Sequence, residues 1–322
     1  GTTEFCFKHN KERETVQQRT HPAQARRYHA ALADWMEHLD ATRTSDETLA
    51  MLAEHRERSG DRVRAGLAYL EAGGPARARD PSSKASEHYE RGLELLGDAH
   101  AGRRMDALHN HGDVLLLTGR VDDALAAFRE MLTLAWRLDL ANKGGAAHNR
   151  IGRLYRGTGA LDEASKHLEA ALRLFSACGD ERGVASTLDD LGKLHWLKGE
   201  YTQALEPLRQ GLAKRRRLGD RRSIALSLNN LGLVFVDSGE FRQALESFEQ
   251  SLAIRRDIGD LVGVVTTLNN LGTMAQDQRD YARALALFQE ALEVAKQIGD
   301  RNRIALVLVN IGEAHERRGA PQ

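Results

Sequence analysis

The chain has 322 residues, of which 41% are hydrophobic and 29% are charged, a composition typical of soluble helical proteins. Its 46 basic residues balance 46 acidic residues, so net charge gives no reason to expect nucleic acid or an anionic membrane as a partner. Cys6 and Cys178 lie far apart, which argues against a disulfide framework and fits a cytoplasmic location. No apolar run of about eighteen residues occurs, so no membrane-spanning segment is expected.

Residues 1–100 are predicted to form irregular helices without a strict repeat. An amphipathic helix is expected over residues 23–39, with Thr20 as its cap, and the Gly73-Gly74-Pro75 stretch is expected to end a later helix. The other helices in this region are predicted at residues 46–60, 61–72 and 83–96. The N-terminus has no signal-peptide pattern, and we interpret it as the edge of a larger protein.

From residue 101 onward the sequence repeats every forty residues. The sequence Leu-Asn-Asn-Leu-Gly occurs at 228–232 and again at 268–272. A fixed period of this size indicates an array of repeats, and array ends are often atypical, as residues 1–100 are. We therefore divide 101–322 into five forty-residue units and a terminal half unit: 101–140, 141–180, 181–220, 221–260, 261–300 and 301–322.

The unit boundaries carry turn and capping residues. The first unit ends in Asp139-Leu140, whereas the next four end in Gly-Asp, at 179–180, 219–220, 259–260 and 299–300. Glycine suits the left-handed residue that follows a helix, and aspartate suits the start of the next helix.

Each unit is predicted to contain two helices. In the fourth unit, Gly232 and Ala244 let the paired helices approach closely, Gly239 makes the turn, and Phe248 fills the space between units. This pattern resembles the tetratricopeptide repeat, and its forty-residue period resembles the long-helix variety found in Pins/LGN and kinesin light chain. The resemblance implies an all-α, right-handed α-solenoid in which the first helix of each unit lines a concave groove.

The N-terminal part carries a second resemblance. Phe7-Lys-His-Asn, Tyr28-His-Ala-Ala-Leu-Ala-Asp-Trp and Leu52-Ala-Glu-His resemble the helical region that precedes the repeat arm of bacterial STAND-type or kinase-linked regulators. No P-loop motif occurs, so the nucleotide-binding module of such a regulator is not in this sequence. The resemblance implies the sensor arm of a larger protein.

One position of each first helix is expected to face the groove, two residues before the marker glycine. The residues there are Asn110, Arg150, Asp190, Asn230, Asn270 and Asn310. A carboxamide both donates and accepts, so a row of them can hold the backbone of an extended peptide. The alternative is that these residues brace neighbouring helices. Further groove positions are predicted at Arg153, Arg156, Lys193, Trp196, Asp237 and Gln276.

Charge and aromatic character distinguish part of this surface. Arg150, Arg153 and Arg156 form a basic stripe that suits an acidic ligand, or else a solvated face. Trp196 is either an exposed anchor or a packing residue. The basic run at 214–217 is placed on the outer edge, at the end of a second helix. Cations there interact favourably with the helix dipole, and this explanation is preferred to nucleic-acid binding.

The function predicted from these patterns is non-catalytic binding of a protein or peptide, without a cofactor or a metal. Two alternatives stay open, a small-molecule or nucleic-acid sensor arm of a transcription regulator and an oligomerisation scaffold. Leu306, Leu308 and Ile311 are expected to be partly unpacked, which would allow self-association through the C-terminal end. Neither a membrane nor nucleic acid is expected as a partner.

Overall fold

A computed structural model describes residues 20–38, 46–79, 83–97 and 100–319. Within these ranges the chain forms fifteen α-helices and no strand, which confirms the predicted all-α solenoid. None of these helices is both long and apolar enough to cross a bilayer. The predicted end of the first helix at residue 39 lies outside the described residues.

The chain divides into two compact units, an N-terminal unit of residues 1–147 and a C-terminal unit of residues 148–322. This division rests on contacts, whereas the predicted boundary at residue 100 rests on repeat regularity and stays a prediction. The first six helices are α1 (Pro22–Glu37), α2 (Asp46–Ser59), α3 (Arg62–Arg79), α4 (Ser83–Leu96), α5 (Ala101–Leu117) and α6 (Val121–Arg137).

Helix α7 begins in the N-terminal unit and ends in the C-terminal unit, which contains all the later helices. Their bounds are α7 (Ala141–Gly157), α8 (Leu161–Ala177), α9 (Glu181–Leu197), α10 (Tyr201–Leu218), α11 (Arg221–Asp237), α12 (Phe241–Asp257), α13 (Leu261–Asp277), α14 (Tyr281–Gln297) and α15 (Arg301–Gly319). Odd-numbered members of this set are the first helices of the repeats, and even-numbered members are the second helices.

Two expectations for the N-terminal unit were wrong. Helix α1 is capped by His21, whose Nδ1 accepts from the Ala23 N–H at 3.3 Å, and not by Thr20. Helix α3 does not end at residues 73–75 but continues through Pro75. A side chain at Gly73 would meet the ring of Tyr89 at 2.8 Å, so packing against buried Tyr89 outweighs the cost of an internal proline.

The turns between helices use the predicted conformation. Gly179, Gly219, Gly259 and Gly299 all have positive φ, as do the non-glycine residues at two other turns, Asp139 and Arg279. The aspartates that follow the glycines cap the next helices; for example, Asp180 Oδ1 accepts from the Gly183 N–H at 2.9 Å.

The marker glycines bring the two helices of each repeat into contact. A Cβ at Gly232 would lie 2.5 Å from the Phe248 ring, and one at Gly272 would lie 2.4 Å from the Phe288 ring. Leucine takes the place of phenylalanine in two other repeats, in the pairs Gly152–Leu168 and Gly192–Leu208. The structure therefore places the large residue against the glycine of its own repeat.

We predict that Gly232→Ala lowers the free energy of unfolding by about 1–3 kcal/mol, because the new methyl group would overlap Phe248. Gly312 provides a matched control, since it has the same repeat position but no atom within 4 Å of an added Cβ. Gly312→Ala should raise stability by about 0.5–1 kcal/mol through helix propensity. Urea unfolding followed by circular dichroism measures both; equal effects of the two changes would contradict the packing account.

A histidine pair in the C-terminal unit should make stability depend on pH. His148 Nδ1 lies 2.9 Å from His167 Nδ1, and burial, with His167 and Arg173 nearby, lowers the pKa of His148 from 6.5 to about 4. Between these values the unfolded chain binds a proton that the folded chain does not. This contribution to stability is therefore complete above pH 6.5 and is lost as the pH falls toward 4.

The free energy of unfolding of the wild-type chain should fall when the pH is lowered from about 7 to about 5. We predict that in the His148→Gln variant this fall is smaller by about 1 kcal/mol, a value discounted for solvent screening. The measurement is urea unfolding of the wild-type and variant chains at both pH values. An unchanged pH dependence in the variant would show that this pair does not couple protonation to folding.

Candidate ligand-binding face

Side-chain hydrogen bonds join each first helix of the C-terminal unit to the next. Asn270 Nδ2 donates to Asn229 Oδ1 at 3.1 Å, and Asn310 Nδ2 donates to Asn269 Oδ1 at 2.7 Å. The same positions meet earlier in the unit, where Asn230 Nδ2 lies 3.5 Å from Asp189 Oδ2 and Asn149 Nδ2 lies 3.2 Å from Asp190 Oδ2. We call the surface displayed by α7, α9, α11, α13 and α15 the first-helix face.

These bonds correspond to the bracing role that the sequence left open for the asparagine row. Asn230 and Asp190 are buried, and Asn270 and Asn310 are half-buried, so most of their polar surface is used within the protein. The bonds hold neighbouring first helices at a fixed register. Peptide binding by these asparagines stays a prediction.

A basic patch, formed by Arg153, Arg156 and Lys193, surrounds Asp190 on α7 and α9. Arg156 Nη1 lies 2.9 Å from Asp190 Oδ1, and Arg153 Nε lies 3.7 Å from the same oxygen. Asp190 is 3% exposed, whereas the Arg153 side chain is 43% exposed. The buried Asp190 carboxylate therefore pairs with both arginines of the patch, while the Arg153 side chain remains partly exposed to solvent.

Lys193 is the least compensated cation of this patch. Its ammonium group makes no hydrogen bond or ion pair with any residue that the structure describes. Desolvation lowers its pKa, Arg156 and Arg153 lower it further, and Asp190 and Asp189 act in the opposite direction. The nearby Asp189 is itself paired with Arg215, so the patch keeps an excess of positive charge.

The pair of Asp189 and Arg215 was missed by sequence reasoning, which placed Arg215 on the outer edge of α10. Arg215 is only 7% exposed and bonds to Asp189 and Ser227. Burial raises the pKa of Asp189, although Arg215 opposes this shift. The repeat pattern contained a signal, because Arg255 stands forty residues later and is also buried, at 5% exposure.

Trp196 corresponds to the packing interpretation that the sequence left open. It is half-buried and packs against the core, and its Nε1 donates to Asp237 Oδ2 on the next first helix at 2.6 Å. The bond fixes the indole orientation beside the basic patch, and Asp237 remains exposed. Use of Trp196 as an anchor for a ligand stays a prediction.

The remaining predicted groove residues lie in different environments. Asn110 belongs to the N-terminal unit, where its Oδ1 accepts from Arg77 at 3.0 Å. Arg150 is half-buried on α7, on the same helix as Arg153. Gln276 is 5% exposed, and its Oε1 has no hydrogen-bond partner within the described ranges. Only the C-terminal unit thus brings several of the predicted residues together.

We predict that Asp189→Asn lowers the free energy of unfolding by about 3 kcal/mol, because it leaves the buried Arg215 guanidinium without its carboxylate. Asp162→Asn is a suitable control, since that carboxylate is 91% exposed and pairs with Lys198 at the surface. Chemical unfolding of both variants measures the difference. A cost below about 0.5 kcal/mol for Asp189→Asn would contradict a buried ion pair.

Solved structures share the fold at low sequence identity. BtubC (BKLC) of P. vanneervenii is 20% identical, with a TM-score of 0.55 over 75% of this chain and 92% of that chain. A STAND protein with a tetratricopeptide repeat sensor from Pyrococcus horikoshii is 13% identical, with a TM-score of 0.61 over 95% of this chain and 45% of that chain. NprR in complex with its cognate peptide NprX is 16% identical, with a TM-score of 0.59 over 87% of this chain and 82% of that chain.

Sequence comparison identifies the family. No curated protein sequence matches the chain significantly. One tetratricopeptide repeat model matches residues 145–217 and 263–322, and a second matches residues 227–262. These segments cover more than half of the 322 residues and coincide with the regular helix pairs. The chain therefore belongs to the tetratricopeptide repeat family.

Proposed function

We propose that the C-terminal unit binds an extended, carboxylate-bearing peptide segment on its first-helix face, and that the chain is the regulatory arm of a larger signalling protein. The observation that carries this proposal is the basic patch, where Arg153 and Arg156 pair with Asp190 and the Lys193 ammonium makes no ion pair within the described residues. A half-buried cation that is incompletely neutralised costs free energy, so a ligand carboxylate at Lys193 would recover part of that cost.

The geometry of the patch favours a carboxylate ligand over a neutral one. Arg153 offers a planar group to solvent, and Lys193 lies half-buried on the neighbouring helix. The basic run of α10 supports no such proposal. Lys214 bonds to Glu181 at 2.8 Å, and Arg217 lies 3.8 Å from the same carboxylate. Arg221, at the start of α11, pairs with Asp257.

The regulatory role is supported by the kinds of protein that share the fold. NprR is known in complex with a cognate peptide, and the Pyrococcus STAND protein contains a tetratricopeptide repeat sensor. This chain covers 45% of the length of the STAND protein, whose name describes a signal transduction ATPase with numerous domains. By analogy, ligand binding here would change the arm and release a neighbouring effector domain. The arm itself would be non-catalytic and would act in the bacterial cytoplasm.

The test is a selection of displayed random peptides about 12 residues long, a length that can cross several helices when extended. We predict that wild-type protein selects peptides rich in aspartate and glutamate. The double variant Arg153→Gln/Lys193→Met should bind the selected peptides at least about tenfold more weakly, with a weaker dependence on salt, because two charge contacts are lost. Fluorescence anisotropy measures the affinity.

The control changes the same number of charges on second helices. Lys166 and Arg242 are 69% and 91% exposed and form only local pairs on α8 and α12. Lys166→Met/Arg242→Gln should therefore leave the affinity unchanged. Selected peptides without acidic enrichment, or equal binding by both double variants, would overturn the proposed function.

A further inference from the structure

A cleft between α13 and α15 lies on the same first-helix face as the basic patch. We propose that this cleft receives an apolar side chain of the extended peptide, about eight residues away from the carboxylate that binds the basic patch. The inference rests on the proposed function and adds a second contact to it. The spacing between the acidic and the apolar residue of the peptide would then fix its position along the first-helix face.

The cleft has the chemistry of a side-chain pocket. Its volume is about 340 Å³, and its lining includes buried Val265 and Val307 together with Leu306, which is 54% exposed. The other lining residues are polar, namely Thr266, Asn269, Asn270, Asn302 and Arg303. A lining that combines apolar side chains with polar groups is usual for a small binding pocket.

Hydrogen bonds within the protein hold the walls of the cleft in place. Asn310 Nδ2 bonds to Asn269 Oδ1 at 2.7 Å and ties α15 to α13. The Thr266 hydroxyl donates to the Val262 carbonyl at 3.0 Å, and the Arg303 guanidinium pairs with Asp300. The polar groups of the rim are therefore largely paired, and Leu306 stays available for an apolar partner.

The repeat geometry sets the distance between the two sites. The basic patch lies on α7 and α9, and the cleft lies between α13 and α15, three first-helix steps further along the unit. Packed helices lie about 8–10 Å apart, which gives about 25–30 Å. An extended chain advances about 3.3–3.6 Å per residue, so about eight residues connect a carboxylate at one site to an apolar side chain at the other.

The two ends of the face also differ in charge, which fixes the direction of the ligand. Lys193 and Arg153 have an excess of positive charge at one end, whereas Arg303 is neutralised by Asp300 at the other. A peptide with separate acidic and apolar residues therefore gains both contacts in only one orientation.

The test uses fluorescein-labelled peptides of serine and glycine that carry one Glu-Asp pair and one leucine, separated by about 2, 8 or 14 residues in both chain directions. Anisotropy titration of the full chain should show binding at least about tenfold tighter for one direction of the eight-residue spacing than for the same peptide without leucine. Leu306→Ser should abolish this advantage.

Leu308→Ser is the matched control, because Leu308 is 50% exposed on the same helix but does not line the cleft. It should leave the spacing preference intact. If Arg153→Gln/Lys193→Met weakens binding but spacing and Leu306 have no effect, the cleft inference fails and the proposed function stands. If no peptide binds in a manner that depends on the basic patch, both fail.

Discussion

The contact between a glycine on each first helix and a large side chain on its partner is the interaction on which this structure depends. Phe248 and Phe288 are fully buried against Gly232 and Gly272, where any larger residue would overlap the ring. The contact sets the distance between the two helices of a repeat, and its recurrence every forty residues gives neighbouring repeats the same geometry. Residues 38 or 41 positions apart therefore meet repeatedly along the first helices.

That register turns small sequence differences into local chemistry. Asp189 and Asn229 occupy the same repeat position, but only Asp189 pairs with a buried arginine, whereas Asn229 accepts from the amide of Asn270. Lys193 corresponds in the same way to Thr273. At these two positions α9 therefore carries charged side chains, whereas α11 carries asparagine at the first and α13 carries threonine at the second. A face with a basic site at one end and an apolar site at the other suits an extended ligand with an acidic residue and an apolar residue at matching positions.

The sequence predicted what depends on spacing within one repeat, such as the helix pairs, the aspartate caps and the contact position of Gly232. It did not predict the hydrogen-bond partner of Asn270, because a carboxamide can bond to a ligand or to a neighbouring helix, and the choice depends on how adjacent repeats are placed. Arg215 was misplaced because a basic run suggests solvent exposure. In the structure Arg215 is buried, and its charge is balanced by the Asp189 carboxylate, 26 residues away in the sequence. Helix α3 passes Pro75 because tertiary packing around Gly73 overrides local propensity.

The central claim is that the basic patch of the first-helix face binds a ligand carboxylate. A crystal structure of the chain with a selected acidic peptide tests it most directly. The account predicts a peptide carboxylate within hydrogen-bonding distance of Lys193 Nζ and Arg153, with the peptide extended across α9, α11 and α13. A peptide bound on the second helices, or on the first-helix face with no carboxylate near Lys193, would contradict it.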